Sequence, residues 1–213
     1  MQKPNGYDEA QEMGQQKAPI NPGGHHLIIK QVNETQSKTG KPMIVVLFDF
    51  AQNDEHAGLL MKEFKDDTRS DKKWPHRGTA YIMVQDYQDP NKTSRQYKTF
   101  CSCFEKSNNT QINWTDNAQA WAQQFKEKRI GGAFGVVHDV YQGREIVKTE
   151  LRWFVSDGAV DGLEVPKEKE LTDAQFLEVK GNQSQTENST PSSTGTEGFI
   201  NIPDGIEQDL PFN

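Results

Sequence analysis

The sequence predicts a mainly β protein with helices inserted after its third strand. Three observations carry that reading. Residues 43–50, Met-Ile-Val-Val-Leu-Phe-Asp-Phe, are dominated by β-branched and aromatic side chains, a run apolar on both faces that suggests a strand central to a barrel. Apolar residues then fall at Tyr97, Phe100, Cys101 and Phe104, the i, i+3, i+4, i+7 spacing of one helix face. Residues 146–155 return to alternation, with Val147, Thr149, Leu151, Trp153 and Val155 set between Lys148, Glu150 and Arg152.

The elements follow in order. Residues 25–32 form a first strand, entered through the Asn-Pro-Gly-Gly turn at 21–24. The polar stretch 35–42 turns the chain back into 43–50, making an antiparallel hairpin. Residues 59–64 are expected to continue the sheet as its third strand. Residues 65–78 form a polar loop holding one Trp. One helix starts at Ser94. A second starts at Thr115 or Asp116 and carries Ala118, Trp121, Ala122 and Phe125 on one face. Lys126, Lys128 and Arg129 occupy its last turn, and Gly131-Gly132 is its expected stop. Residues 133–141 and 146–155 are two strands joined by a short turn, and a short helix is expected at 172–179. Strand, strand, strand, helices, strand, strand is the layout of the OB-fold, a five-stranded barrel that binds single strands across its second and third strands.

The 213 residues divide by composition. Residues 1–20 are a polar, flexible N-terminal arm. Residues 21–180 are long enough for one sizeable core. Residues 181–213 are Gly/Asn/Gln/Ser/Thr/Pro-rich and expected to be a disordered tail. No run approaches the roughly 18 apolar residues of a membrane span, and the N-terminus lacks the apolar run of a signal peptide. Cys101 and Cys103 are too close for an ordinary disulfide and fit a reducing compartment, so a cytoplasmic location in a host cell is expected.

The net charge of −7 is segregated. The tail holds Glu187, Glu197, Asp204, Glu207 and Asp209 with no Lys or Arg. The rest of the chain has 24 basic against 26 acidic residues, and residues 65–106 have nine basic against six acidic. The tail ends on an apolar plug, Leu210-Pro211-Phe212, behind the carboxylates of Asp204, Glu207 and Asp209. Such a segment is a bait: the acids steer a basic partner and the plug fills a pocket on it.

That tip resembles the C-terminus of bacterial and phage single-stranded DNA-binding proteins, with Asn213 as one residue beyond the usual terminal Phe. The region from about Pro22 to Val155 resembles a group of single-stranded DNA-binding-like proteins from phages of Gram-positive bacteria. The matching motifs are Lys65 to Pro75 (Lys-Asp-Asp-Thr-Arg-Ser-Asp-Lys-Lys-Trp-Pro), Phe104 to Asn108, Ile112-Asn-Trp114 and the Gly-Gly-Ala-Phe-Gly-Val-Val run from Gly131. The resemblance implies an OB-fold core that binds single-stranded DNA during replication or recombination, and a tail that recruits partner proteins.

A single-strand site needs aromatic faces for bases and cations for phosphates. Trp74 lies among Arg69, Lys72, Lys73 and Arg77, so it is the candidate stacking residue and they the candidate phosphate contacts. The competing reading of Trp74 is a loop anchor. Phe48 is a candidate binding-face aromatic, with core the more frequent fate of such a residue. Lys148 and Arg152 are candidates to line the groove from the last strand; Tyr87 and Tyr97 are weaker ones. No metal or other cofactor is expected, because Cys101 and Cys103 point apart on a helix, the adjoining His25 and His26 face opposite sides of a strand, and His56, His76 and His138 are scattered. A nuclease built on Asp49, Glu145, Glu150 and Lys148 is the weakest reading, because alternation leaves Lys148 and Glu150 on an ordinary solvent face. The expected function is therefore non-enzymatic, sequence-independent single-strand binding. Homo-oligomer formation is compatible with it, although no helix offers a clear self-pairing face. The alternative is a phage adaptor that docks host or phage replication proteins without touching DNA.

Overall fold

The computed structural model describes residue 3 and residues 18–187. Among the described residues, five antiparallel strands form one sheet in the order β3-β2-β1-β4-β5. They are β1 (Gly23–Gln36), β2 (Pro42–Phe50), β3 (Thr79–Met83), β4 (Arg129–Tyr141) and β5 (Arg144–Val155). The α-helices that accompany them are α1 (Leu59–Asp66), α2 (Arg95–Asn108), α3 (Ala118–Gln123) and α4 (Asp173–Glu187). No helix among the described residues is long and apolar enough to cross a membrane.

The sheet is open. β3 and β5 are its two edges and share no ladder. β1 holds it together by pairing on both sides, residues 27–36 with β2 and residues 23–28 with β4. Its register with β2 shifts between Ile29 and Gln31, a bulge at Lys30 that bends the strand. The apolar run of β2 is a strand, as expected, but its two faces differ. Ile44, Val46, Phe48 and Phe50 are buried, while Met43, Val45 and Leu47 are half-buried on the opposite face.

The third strand is not where the sequence placed it. Residues 59–64 lie in α1, and β3 is the short run Thr79–Met83 beyond the polar loop. Gly58 at the start of α1 has no side chain to cap the helix. Asp49 of β2 does so from a distance. Its buried carboxylate accepts from the backbone N–H groups of Leu60 at 3.0 Å and Met61 at 3.1 Å, and from its own neighbour Phe50 at 2.8 Å. A helix N-terminus needs acceptors for its orphan donors, and a carboxylate also meets the positive end of the helix dipole.

α2 begins as expected: the Ser94 hydroxyl accepts from Tyr97 N–H at 3.1 Å. Phe100, Cys101 and Phe104 are buried on its inner face. α3 is capped by Asn117, which accepts from Ala120 N–H at 3.0 Å. It is also shorter than expected, because Arg129 already opens β4. Gly131 and Gly132 therefore lie inside a strand rather than ending a helix. A Cβ on Gly132 would sit 2.7 Å from Leu27 Cδ1 and 2.8 Å from Leu151 Cδ1, so close packing explains the residue.

Aromatic rings connect the sheet to the helices. Phe48 meets Phe134 and Phe154 edge-on at 6.2 Å, Phe154 meets Phe100 at 5.3 Å, and Phe100 meets Phe125 at 5.5 Å. Phe125 in turn contacts Phe104 at 4.6 Å and Trp121 at 4.7 Å. β5 has to bulge to join this chain. Trp153 pairs with Ala133 but Leu151 with Phe134, leaving Arg152 as the extra residue. The simple alternation expected of this strand breaks there: Leu151 and Phe154 face the core and Trp153 faces out, 44% exposed.

At the N-terminal boundary Ile20 is buried in the core, so the last residues of the expected arm pack on the domain. α4 opens on a capping box between Thr172 and Gln175 and runs to Glu187, past the expected boundary at 180. The tip with Asp204, Glu207, Asp209, Leu210, Pro211 and Phe212 lies outside the described residues.

Asp49→Ala strips the acceptor from three backbone donors in a buried site and should lower stability by about 2–4 kcal/mol. Asp49→Asn, which keeps one acceptor oxygen, should cost less. Urea unfolding monitored by circular dichroism measures both.

Candidate nucleic-acid interface

The strand registers lay out a surface on the outer face of β1, β2 and β3. Gln31, Leu47 and Thr79 form one row, Asn33, Val45 and Tyr81 the next, and Thr35, Met43 and Met83 the third. Leu47, Val45, Met43 and Met83 are half-buried, and Tyr81 stands out of the surface at 56% exposure. The result is an apolar stripe with polar margins and one projecting ring. Such a face accepts flat apolar groups and excludes little solvent on its own.

The polar loop borders this surface. A groove of about 810 Å³ runs between α1 and residues 66–76 and ends on Thr79 and Tyr81, lined by Lys62, Arg69 and Lys73 and by Glu63, Asp66 and Asp67. Trp74 shapes the loop from beneath. Its indole N–H donates to the carbonyls of Phe48 (3.2 Å) and Gly78 (3.1 Å), and its ring lies 5.6 Å from Phe64. A Cβ on Gly78 would come within 2.7 Å of that indole nitrogen, which is why glycine stands there. Trp74 is thus the loop's anchor, its polar handle already used.

The other expected site residues separate by what holds them. Phe48 is fully buried, and a core ring has no face to offer a base. Arg77 forks onto Glu63 and donates to the Ala18 carbonyl, so it ties α1 and the N-terminal approach to the loop. Arg69 is exposed but paired with Asp67 at 2.7 Å, and that guanidinium holds the Asp67 carboxyl down at about 2. Lys72 and Lys73 are exposed; the Lys72 ammonium lies 4.9 Å from the Phe64 ring centre. Lys148 lies between Asp139 at 2.8 Å and Glu150 at 2.9 Å, which neutralise it locally. Arg152 donates to the Lys167 carbonyl at 3.3 Å.

Three residues near this surface are not binding candidates on sequence grounds. Tyr81 sits in a five-residue strand too short to read. Trp153 belongs to what reads as an ordinary alternating strand, and the bulge that turns it outward leaves no sequence signal. Arg95 is exposed in the first turn of α2. Together with His76 and Arg152 they surround a cleft of about 330 Å³ between the edges of β3 and β5.

His25, His26, His56 and His138 pair with carboxylates elsewhere. His25 is buried, with Nδ1 facing Asp54 at 3.1 Å and Nε2 against the Asn21 carbonyl at 2.8 Å. Burial pulls its pKa down, but these partners outweigh burial and leave it above the ordinary value. His138 of β4 lies between Glu145 and Glu168, with Glu170 close by. Its ring tethers the β4–β5 turn to residues 168–170, where Lys169 pairs in parallel with Val137. Burial pushes the Cys101 thiol up to about 11, so it is not a poised nucleophile.

No protein-family model matches the chain, and no curated protein matches it significantly.

The hydrogen bonds to Glu145 and Glu168 raise the His138 pKa to about 9. A raised histidine pKa contributes stability in full below its unfolded value near 6.5 and loses it as pH climbs through the folded value. A histidine-ring NMR titration should show a midpoint near 9, and Glu168→Gln should move it back toward 6.5. A wild-type midpoint at the ordinary value would show that the tether does not form.

Proposed function

We propose that this chain is a non-enzymatic protein that binds single-stranded DNA with little sequence preference, during phage DNA replication or recombination. The observation that carries the reading is the outer face of β2 and β3, where Tyr81 rises from an apolar stripe beside a loop bearing Lys72 and Lys73. Bases offer flat apolar faces and phosphates offer negative charge, so an exposed ring beside lysines is the recurrent solution for unpaired strands. The strand order is that of an OB-type barrel opened between β3 and β5, with helices between β3 and β4. In that architecture the second and third strands carry the ligand, which is where this stripe lies.

The acidic segment with Asp204, Glu207, Asp209, Leu210, Pro211 and Phe212 would serve a second role, recruiting replication or recombination proteins. The same carboxylates compete with DNA for the lysine-bearing loop, so removing residues 188–213 should tighten DNA binding at low salt and have little effect at high salt. Unchanged affinity at low salt would remove the competition.

The direct test is a titration of labelled oligo-dT, with a duplex control, at two salt concentrations. Single-strand-selective, salt-sensitive binding is expected. Tyr81→Ala should weaken it at both salts by roughly 5-fold or more, the worth of one stacked base. Lys72→Glu with Lys73→Glu should weaken it mainly at low salt and flatten the logarithmic salt dependence by roughly 0.7 for each phosphate no longer neutralised. No binding by the wild type would leave the adaptor role as the better account.

A further inference from the structure

The seam between β3 and β5 has a geometry that sheet closure alone does not explain. Its floor is the core itself, made by Ala80 and Ile82 of β3 and Leu151 and Phe154 of β5. Its two rims each carry an exposed ring, Tyr81 on β3 and Trp153 on β5, 56% and 44% exposed. Arg95 of α2, Arg152 and His76 stand around the mouth. Glu150 is the one acid there among the described residues, and Lys148 holds it at 2.9 Å. The cleft's volume of about 330 Å³ falls at the small end of ligand pockets. Two exposed rings flanking an apolar floor make a contiguous apolar surface with polar neighbours, the kind that marks a binding site rather than a scattered surface residue.

We propose that this seam is a nucleobase slot: one base of the bound single strand enters between Tyr81 and Trp153, and Arg95 and Arg152 meet the phosphates on either side of it. The inference rests on the single-strand reading above. It adds a definite subsite to a face that otherwise offers only a surface. The chemistry fits each part. A base is a flat, weakly polar group whose faces suit rings and whose insertion covers the apolar floor. Its backbone leaves the slot past Arg95 and Arg152, which line the cleft. The Arg152 bulge serves the arrangement by turning Trp153 outward while Leu151 and Phe154 stay in the floor. The slot also gives the two unpaired strand edges a shared occupant, so bound DNA would bridge the open side of the sheet.

The test compares two ligands of equal length and charge, oligo-dT and an oligomer of abasic sites, bound by full-length wild type, Trp153→Ala and Tyr81→Ala. Trp153 is exposed on an edge strand, and a thermal melt checks that its variant stays folded. Trp153→Ala should weaken oligo-dT binding by roughly 5- to 100-fold, the range for removal of one base–aromatic stack. It should leave abasic binding within about twofold, because only the phosphates remain to be held. Arg95→Glu, by contrast, should weaken both ligands. Equal affinity of wild type and Trp153→Ala for oligo-dT would overturn the slot while the single-strand reading stands. Equal weakening of both ligands would also overturn it, assigning Trp153 to the fold. Failure of the wild type to bind oligo-dT would overturn the reading on which the slot rests.

Discussion

The chain of rings from Phe48 through Phe154 and Phe100 to Phe125 is the constraint on which the rest of the structure depends. It ties β2, β5, α2 and the segment after α3 into one core. Aromatic side chains bury more area than any others and prefer edge-on contacts, so they fix orientation as well as distance. For Phe154 to reach Phe48 and Phe100 while Leu151 stays beneath Phe134's strand, β5 must gain a residue at Arg152. That bulge turns Trp153 outward. The same core seats α2 beneath the sheet, where its first turn, with Arg95, comes to the mouth of the open seam. Features that look functional on the surface are thus consequences of how the interior is filled.

A second dependence runs through Asp49 and Trp74. Both reach across from the second strand and the polar loop to hold α1 and residues 74–78 in place. Arg77 reinforces them through Glu63 and Ala18. Three residues that resemble site chemistry in the sequence, an Asp, a Trp and an Arg, are spent on holding the loop. What they hold out to solvent is the Lys72-Lys73 pair. A loop that carries cations near a nucleic acid gains from such anchoring, because a preorganised charge does not lose conformational freedom on binding.

Much of this was legible in the sequence where signals are local. The β-branched run of β2, the helical spacing of α2 with its Ser94 cap, and the long β4–β5 hairpin all appear where their patterns place them. The hairpin turn at Gln142 and Gly143 is set by two positive φ angles, 51° and 70°, the local conformation of a tight primed turn. What misled was non-local. Residues 59–64 are a short apolar run that fits strand or helix equally, and their helix is capped from Asp49, ten residues before it begins. β3 has only five residues. Gly131-Gly132 imitates a helix stop, yet its cause is packing against β4, by Val155 and Val160 at Gly131 and by Leu27 and Leu151 at Gly132. For the candidate site, the basic loop is legible as a local cluster of charge, but nothing local decides between the stacking and anchor readings of Trp74, whose indole N–H meets the Phe48 and Gly78 carbonyls. The outward placement of Tyr81 and Trp153 was not legible, because register and a bulge decide it.

The most direct test of the account is a map of backbone amide shifts in isotopically labelled protein as unlabelled oligo-dT is added. The account predicts changes concentrated in residues 71–83, on the outward positions of β2, at Arg95 and in residues 150–154, with α3 and α4 unaffected. Changes confined to α3, α4 or the β4–β5 turn, or no changes at all, would contradict it.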